Sequence, residues 1–213
     1  MNNLVGVIVS AIYIAAVVIT SKFMSKFGEE ASRKFIHVLL SNVWIIYMLF
    51  IDSLVPACIL PIAFVIINTL SYKFKLIKSM EREENDGFGT IYYAVSMLVV
   101  SIIAYVAGDP RIGATGILIM GYGDGFAAII GKKIKSKKYK IGKTTKSIAG
   151  SLTMFIISLF ISFIVLKMIG VKYLIFDSFG IAVVATILEA ISIKGFDNIT
   201  VPVITTILTF LAM

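Results

Sequence analysis

Histidine, cysteine and tryptophan occur once each in the 213 residues, and only 15% of the chain is charged. One cysteine, Cys58 in an apolar run, allows no disulfide within the chain and no cysteine metal site. One histidine, His37, removes every multi-histidine metal motif. Soluble domains carry about 25% charged residues, so this composition does not supply a water-facing surface all round. No long linker, low-complexity tract or clear repeat divides the chain, which reads as one domain over 1–213.

What is there is apolar length. The chain is 59% hydrophobic with a mean hydropathy of +0.98, and its apolar runs have the roughly 16–22 residues needed to cross a bilayer. Backbone groups in lipid must be paired internally, and these runs are too continuous for barrel strands. The expectation is an all-α fold, a polytopic membrane helical bundle of about seven or eight transmembrane helices. Eight spans are predicted, over 4–20, 36–51, 54–72, 90–107, 112–131, 148–167, 174–193 and 199–213. The first lacks a basic n-region and a convincing cleavage site, so it reads as a retained helix.

Charge then sets orientation. All but three of the 20 lysines and arginines fall in the loops after spans 1, 3, 5 and 7; the exceptions are Arg111, Lys167 and Lys172. By the positive-inside rule both termini lie outside and the long polar loops face the cytoplasm. The net charge of +8 is therefore a topology signal and not a nucleic-acid footprint.

The polar residues left inside the membrane demand the most explanation. Asp124 lies in Gly121-Tyr122-Gly123-Asp124-Gly125, eight residues before Lys132, about 12 Å along a helix. A carboxylate at that depth costs a few kcal/mol and faces a polar cavity by default. Glycines at alternate positions would loosen the helix and let a ligand approach the backbone. The plain alternative is an aspartate paired with a lysine for structure. The functional reading is a Mg²⁺ ligand, since this hard cation takes oxygen donors and bridges phosphates. Glu189 sits at a similar depth, and Asp197-Asn198 is expected to cap the last span, so Asp124, Glu189 and Asp197 are the candidate metal ligands.

Counter-charge lies close by. In Glu30-x-x-Arg33-Lys34-x-x-His37 the polar residues share a helix face. This is either an interfacial helix start with a Glu30–Lys34 pair, or a phosphate clamp by Arg33 and Lys34 with His37 beside it. Asn42, one turn deeper, suits a helix–helix hydrogen bond. Between Gly131 and Ser151, Lys132, Lys143 and Lys146 are placed to reach phosphates. Ser147 is expected to cap the next helix and turn its N–H groups toward an anion, with Gly150 permitting close approach. Gly142-Lys143-Thr144 resembles the end of a P-loop, but Lys137 stands where the first glycine is required and no strand is expected before it. The run Glu81-Arg82-Glu83-Glu84-Asn85-Asp86-Gly87 reads as a solvated loop. Thr90 is expected to cap the following span, and Tyr92 and Tyr93 read as interfacial aromatics.

In that order, these pieces resemble the membrane-bound lipid-alcohol kinase family that includes phytol kinase, dolichol kinase and the CTP-dependent diacylglycerol kinase. The matching segments are Glu30-x-x-Arg33-Lys34-x-x-His37, Gly123-Asp124-Gly125 with Gly131-Lys132, Lys146-Ser147-x-x-Gly150-Ser151, and Glu189 followed by Asp197-Asn198-x-x-x-Pro202. The phytol kinase type is the nearest, through Gly89-Thr90-Ile91-Tyr92-Tyr93 and Asp197-Asn198-Ile199-Thr200-Val201-Pro202. The resemblance implies phosphorylation of a membrane lipid alcohol at the cytoplasmic face, with CTP as donor and Mg²⁺ as cofactor. It implies catalytic roles for Asp124, His37 and Asp197. Nucleotide contacts would fall to Arg33, Lys34, Gly123, Gly125, Gly131, Lys132, Lys143, Lys146, Ser147, Gly150 and Asn198. The alternative is a phosphatidate cytidylyltransferase-like CDP-lipid synthase, whose Ser-Pro-Lys-Lys segment corresponds here to Thr144-Thr145-Lys146-Ser147, without the proline. A transporter lined by Asp124 and Glu189 is a different class, and it leaves the one-sided lysines unused.

Overall fold

A computed structural model describes residues 2–24, 26, 29–74, 88–141, 144–193 and 195–213; within these, the side chains of Lys22, Met24, Glu29, Glu30, Ala31 and Arg33 are not described. The helices are α1 (Asn3–Met24), α2 (Glu29–Ser41), α3 (Val43–Phe50), α4 (Leu54–Phe74), α5 (Gly89–Val106), α6 (Arg111–Leu118), α7 (Gly125–Lys133), α8 (Ile148–Ile169), α9 (Leu174–Ile191) and α10 (Asp197–Leu211). Six helical stretches among the described residues are long and apolar enough to cross a bilayer, and Lys34–Phe50 and Asp197–Leu211 are shorter apolar helices. This is the expected all-α membrane bundle.

Two local features escaped the sequence reading. Between α6 and α7 the backbone runs as a π-helix over Ile119–Asp124, so Arg111–Lys133 is one rod with a widened middle. Such bulges recur at functional sites. The lysine-rich segment is a hairpin, with β1 (Lys138–Ile141) antiparallel to β2 (Thr144–Ser147) and Ile141 opposite Thr144. A strand therefore does precede Gly142-Lys143, which lie outside the described residues, but the next described element is the antiparallel β2 and not a helix, so the strand-to-helix order of a P-loop is not met.

The rod from α6 to α7 is the centre of the bundle: 72% of its apolar window is buried, against 22–39% for the other five long helices. Small residues let its neighbours come close, the usual way helices pack in lipid. A Cβ at Gly113 would sit 2.1 Å from the Trp44 ring, one at Gly121 2.4 Å from Ser41 Cβ, and one at Gly125 2.3 Å from Val38. The glycines around Asp124 thus admit α2, and Gly123 admits Met154 of α8. The partner that approaches the backbone is helical side chain, where the sequence suggested a ligand. This packing holds the face of α2 that carries Lys34 and His37 against the π segment.

The two ends of the bundle are fastened differently. At the end where α6 begins, Arg111 grips both oxygens of Asp109 at 2.7–3.0 Å and donates to the Met168 carbonyl of α8 at 2.7 Å. At the same end Asn3 and Asp52 exchange hydrogen bonds of 2.7 and 2.9 Å. At the other end lie the hairpin, the start of α10 and the intramembrane acids.

Candidate functional site

Asp124, at the end of the π segment, is 7% exposed. Lys34 of α2 donates to its Oδ2 in an ion pair spanning 90 residues of sequence. His37, one turn further along α2, places Nε2 3.9 Å from the same oxygen. The sequence left Lys34 either to a pair with Glu30 or to a phosphate; the ammonium reaches Asp124. Arg33 and Glu30 lie outside the described side chains. Asn42, where α2 gives way to α3, accepts from Tyr122 at 2.7 Å and donates to Tyr13 at 3.2 Å, which ties α1 and α2 to the π segment. That is the helix–helix role expected of it.

A second pair stands beside the first. Lys146 of β2 donates to Glu189 of α9, whose side chain is 7% exposed. Burial alone would lower the Lys146 pKa, but Glu189, Asp197 and Asp124 together outweigh it and hold the ammonium above the usual lysine value. One lysine thus feels all three carboxylates. Lys132 is exposed on the outer side of α7, and Lys143 and Lys194 lie outside the described residues.

The start of α8 is closed internally. The Ile148 N–H donates to the Lys137 carbonyl at 3.0 Å, Ala149 to Ser136 Oγ at 3.1 Å, and Gly150 to Ser147 Oγ at 3.1 Å. Ser147 caps the helix as expected, but these three N–H groups are already spent. Gly131 and Gly150 face each other, a Cβ on Gly150 lying 3.6 Å from Gly131 Cα, so they serve the contact of α7 with α8. The N–H groups of Ile148, Ala149 and Gly150 are not left free at the helix terminus.

Two further cap expectations are corrected. Thr90 lies inside α5, which Phe88 precedes without a side-chain cap, and the Thr90 carbonyl accepts from Asn68 of α4. Asp197 is the first residue of α10, preceded by Phe196, and its Oδ1 accepts the Asn198 N–H at 3.1 Å.

Lys34, His37, Asp124, Asp197 and Asn198 converge on the head of one cavity of about 100 Å³. Its remaining walls are mostly apolar: Ile14, Leu40, Val43, Phe64 and Met97, from α1 to α5. Tyr93 also lines it, 8% exposed, with its ring 4.5 Å from that of His37. The sequence reading set Tyr93 at the interface beside Tyr92 and gave it no role. Helical phase was the available signal, because Gly89, Tyr93 and Met97 recur every four residues along one face of α5.

Fold and site together define a polytopic helical membrane protein with the ion-paired Asp124 and the carboxylate of Asp197 at the polar head of an apolar cavity. The chain is 31% identical over 204 residues to the phytol kinase of Synechocystis sp., covering 93% of this chain and 87% of that protein. It is 29% identical over 206 residues to phytol kinase 1, chloroplastic, of Arabidopsis thaliana, covering 86% and 67%. It is 33% identical over 149 residues to a probable phytol kinase of Triticum aestivum, covering 64% and 49%. The chain belongs to the phytol kinase family. No family model and no solved structure matches it.

Proposed function

We propose that this protein transfers a phosphoryl group from a nucleoside triphosphate to the hydroxyl of a membrane lipid alcohol. The observation that carries the reading is the cavity: charged groups at its head, apolar walls beyond. A lipid alcohol has the same two-part chemistry. The relatives' names support a long-chain alcohol as acceptor. CTP as the donor rests on the family resemblance alone.

Phosphoryl transfer asks a protein mainly for in-line positioning and charge neutralisation. Lys34 and Lys146 each carry three donors, so pairing with a carboxylate leaves donors for phosphate oxygens. Asp197 faces the cavity and has no ion pair among the described residues, which suits it to take the acceptor's proton. The lipid oxygen then bonds to the terminal phosphorus, the phosphorus–oxygen bond to the leaving diphosphate breaks, and the diphosphate keeps that electron pair. His37, against Asp124, orients the acid and the incoming group.

The donor set fits Mg²⁺. Among the described residues no three histidine, cysteine or acidic groups form a closed cage, and Mg²⁺ on a nucleotide needs only one or two carboxylates beside the phosphates. Asp124, with Asp197 or Glu189, would hold it. When bound, the ion neutralises charge on the phosphate oxygens. The concentration of lysines at this end supports a cytoplasmic site, where nucleoside triphosphates are, with both termini outside.

The test is purified protein in detergent with labelled CTP or ATP and a panel of lipid alcohols. A labelled phosphomonoester supports the kinase. A CDP-lipid with released pyrophosphate supports the cytidylyltransferase chemistry instead, and solute flux without nucleotide consumption would leave the transporter standing.

A further inference from the structure

Two residues that line the cavity each carry a buried polar atom that is unused. The Tyr93 hydroxyl and the Asn198 Oδ1 are shielded from solvent and have no hydrogen-bond partner among the described residues. Buried polar groups are ordinarily paired, and leaving one unmade costs about 1–3 kcal/mol. Both residues line the cavity. Tyr93 offers a donor from α5, and Asn198, next to Asp197 in the chain, offers an acceptor from α10; an alcohol group likewise donates once and accepts.

We infer that the cavity between α2, α4 and α5 is the acceptor's site, that Tyr93 and Asn198 grip its hydroxyl, and that only the hydroxyl-proximal segment of the chain is read. This rests on the kinase reading above. It moves Asn198 from the nucleotide, where the motif had placed it, to the lipid.

Depth sets the second half of the inference. From Thr90 at the head to Met97 at the floor is seven residues of α5, about 10 Å. Half of a hydrocarbon core is about 15 Å, so a chain of leaflet length overruns the cavity. Below Met97 the way is shut by Trp44, Tyr47 and Val100, all fully buried. The side is less closed. Ile14 of α1 and Phe64 of α4 line the cavity yet are only half-buried. The tail leaves there, between α1 and α4, into lipid.

The experiment is steady-state kinetics on the purified full chain, varying alcohol and nucleotide separately. Met97→Trp, which fills the floor, should raise the KM for phytol while leaving that for nucleotide in place. Tyr93→Phe and Asn198→Ala should each raise the alcohol KM by about tenfold, the loss of one hydrogen bond. Tyr93→Phe removes a single oxygen and serves if Met97→Trp does not fold. Wild-type protein should turn over farnesol, phytol and solanesol with KM values alike when compared at equal mole fraction in bilayers. A shift confined to the nucleotide KM, or a KM that keeps falling with chain length through solanesol, overturns the inference while the kinase stands. If the wild type phosphorylates no alcohol at all, the kinase reading fails first and takes this inference with it.

Discussion

Both ends of this bundle hold buried acids paired with basic side chains, yet the two arrangements differ in what they leave over. At one end the Arg111 fork satisfies both oxygens of Asp109, two residues away, and its remaining arm takes a carbonyl of α8. At the other end Lys34 and Lys146 reach Asp124 and Glu189 across 90 and 43 residues, each through one bond to one oxygen. A bidentate arginine is geometrically saturated, whereas a lysine is a point charge with donors to spare. A saturated pair fastens helices; an unsaturated one beside a cavity has capacity for a ligand. Burial does not separate the two ends, since Asp109 and Asp124 are 8% and 7% exposed.

The sharpest way to break the comparison is to remove one charge at each end without changing shape. Asp124→Asn should lower phosphoryl transfer at least about a thousandfold, the scale of losing preorganised electrostatic stabilisation. Asp109→Asn should stay within about twofold in the same assay. Radiolabelled product formation reads both. Full activity in Asp124→Asn would remove that residue from the mechanism and leave the two ends chemically equivalent.

Next in size is the second lysine pair. Lys146→Met strands the buried Glu189, and Glu189→Gln strands Lys146. Either should cost about 3 kcal/mol of stability, because breaking a buried pair leaves an uncompensated charge. The double variant should regain most of that stability and none of the activity. Thermal unfolding in detergent separates the two readouts. A double variant that regains activity would reduce this pair to a fastener like Asp109–Arg111.

How much of this was legible beforehand follows the same division. The spans were, because apolar length is local information and the bilayer sets a single threshold for it. Asp124 and Glu189 stood out for the same reason, as charges where charge is costly. Their partners did not. Nothing near Lys34 in sequence announces an acid 90 residues away, and helical spacing offered Glu30 as one of two alternatives. The hairpin was hidden by its brevity: β1 alternates Lys-Tyr-Lys-Ile over only four residues, and β2, Thr-Thr-Lys-Ser, holds no apolar residue. Tyr93 was passed over because tyrosine is so common at membrane boundaries that inward rotation of one member of a pair leaves no compositional trace. The Gly121–Gly125 segment was read as ligand-admitting, when its close approaches are between helices.

Those glycines give the third test. A Cβ at Gly121 meets Ser41 at 2.4 Å, so Gly121→Ala should lose about 1–3 kcal/mol by overpacking α2 against the π segment. Gly108, at the opposite end, has open space around it but a φ of +78°. Gly108→Ala should cost about 1–2 kcal/mol through the backbone alone. Activity discriminates better than melting temperature. The Gly121 variant shifts Lys34 and His37 relative to Asp124 and should lose turnover, while the Gly108 variant should melt earlier at normal turnover. Equal turnover losses would mean that the site's geometry is not set by the contact of α2 with the π segment.

The smallest expected effect concerns acid. Burial would raise the Asp109 pKa, but the hydrogen bonds and charge of Arg111 outweigh it and hold the carboxyl below the usual carboxylate value. A depressed pKa in the folded state adds stability that is fully present above the unfolded-state value and lost as pH falls through the folded one. The melting difference between wild type and Asp109→Asn should therefore be constant from about pH 8 to pH 5 and shrink below about pH 4. Its size should be no more than about 1 kcal/mol, since the arginine side is 40% exposed and exposed pairs are worth little. Phosphoryl transfer should show no matching step over the pH range where the protein stays folded, because the acids proposed to carry it lie at the other end of the bundle. A catalytic step tracking Asp109 would couple the two ends through the central rod from α6 to α7, and the division between a fastened end and a working end would no longer hold.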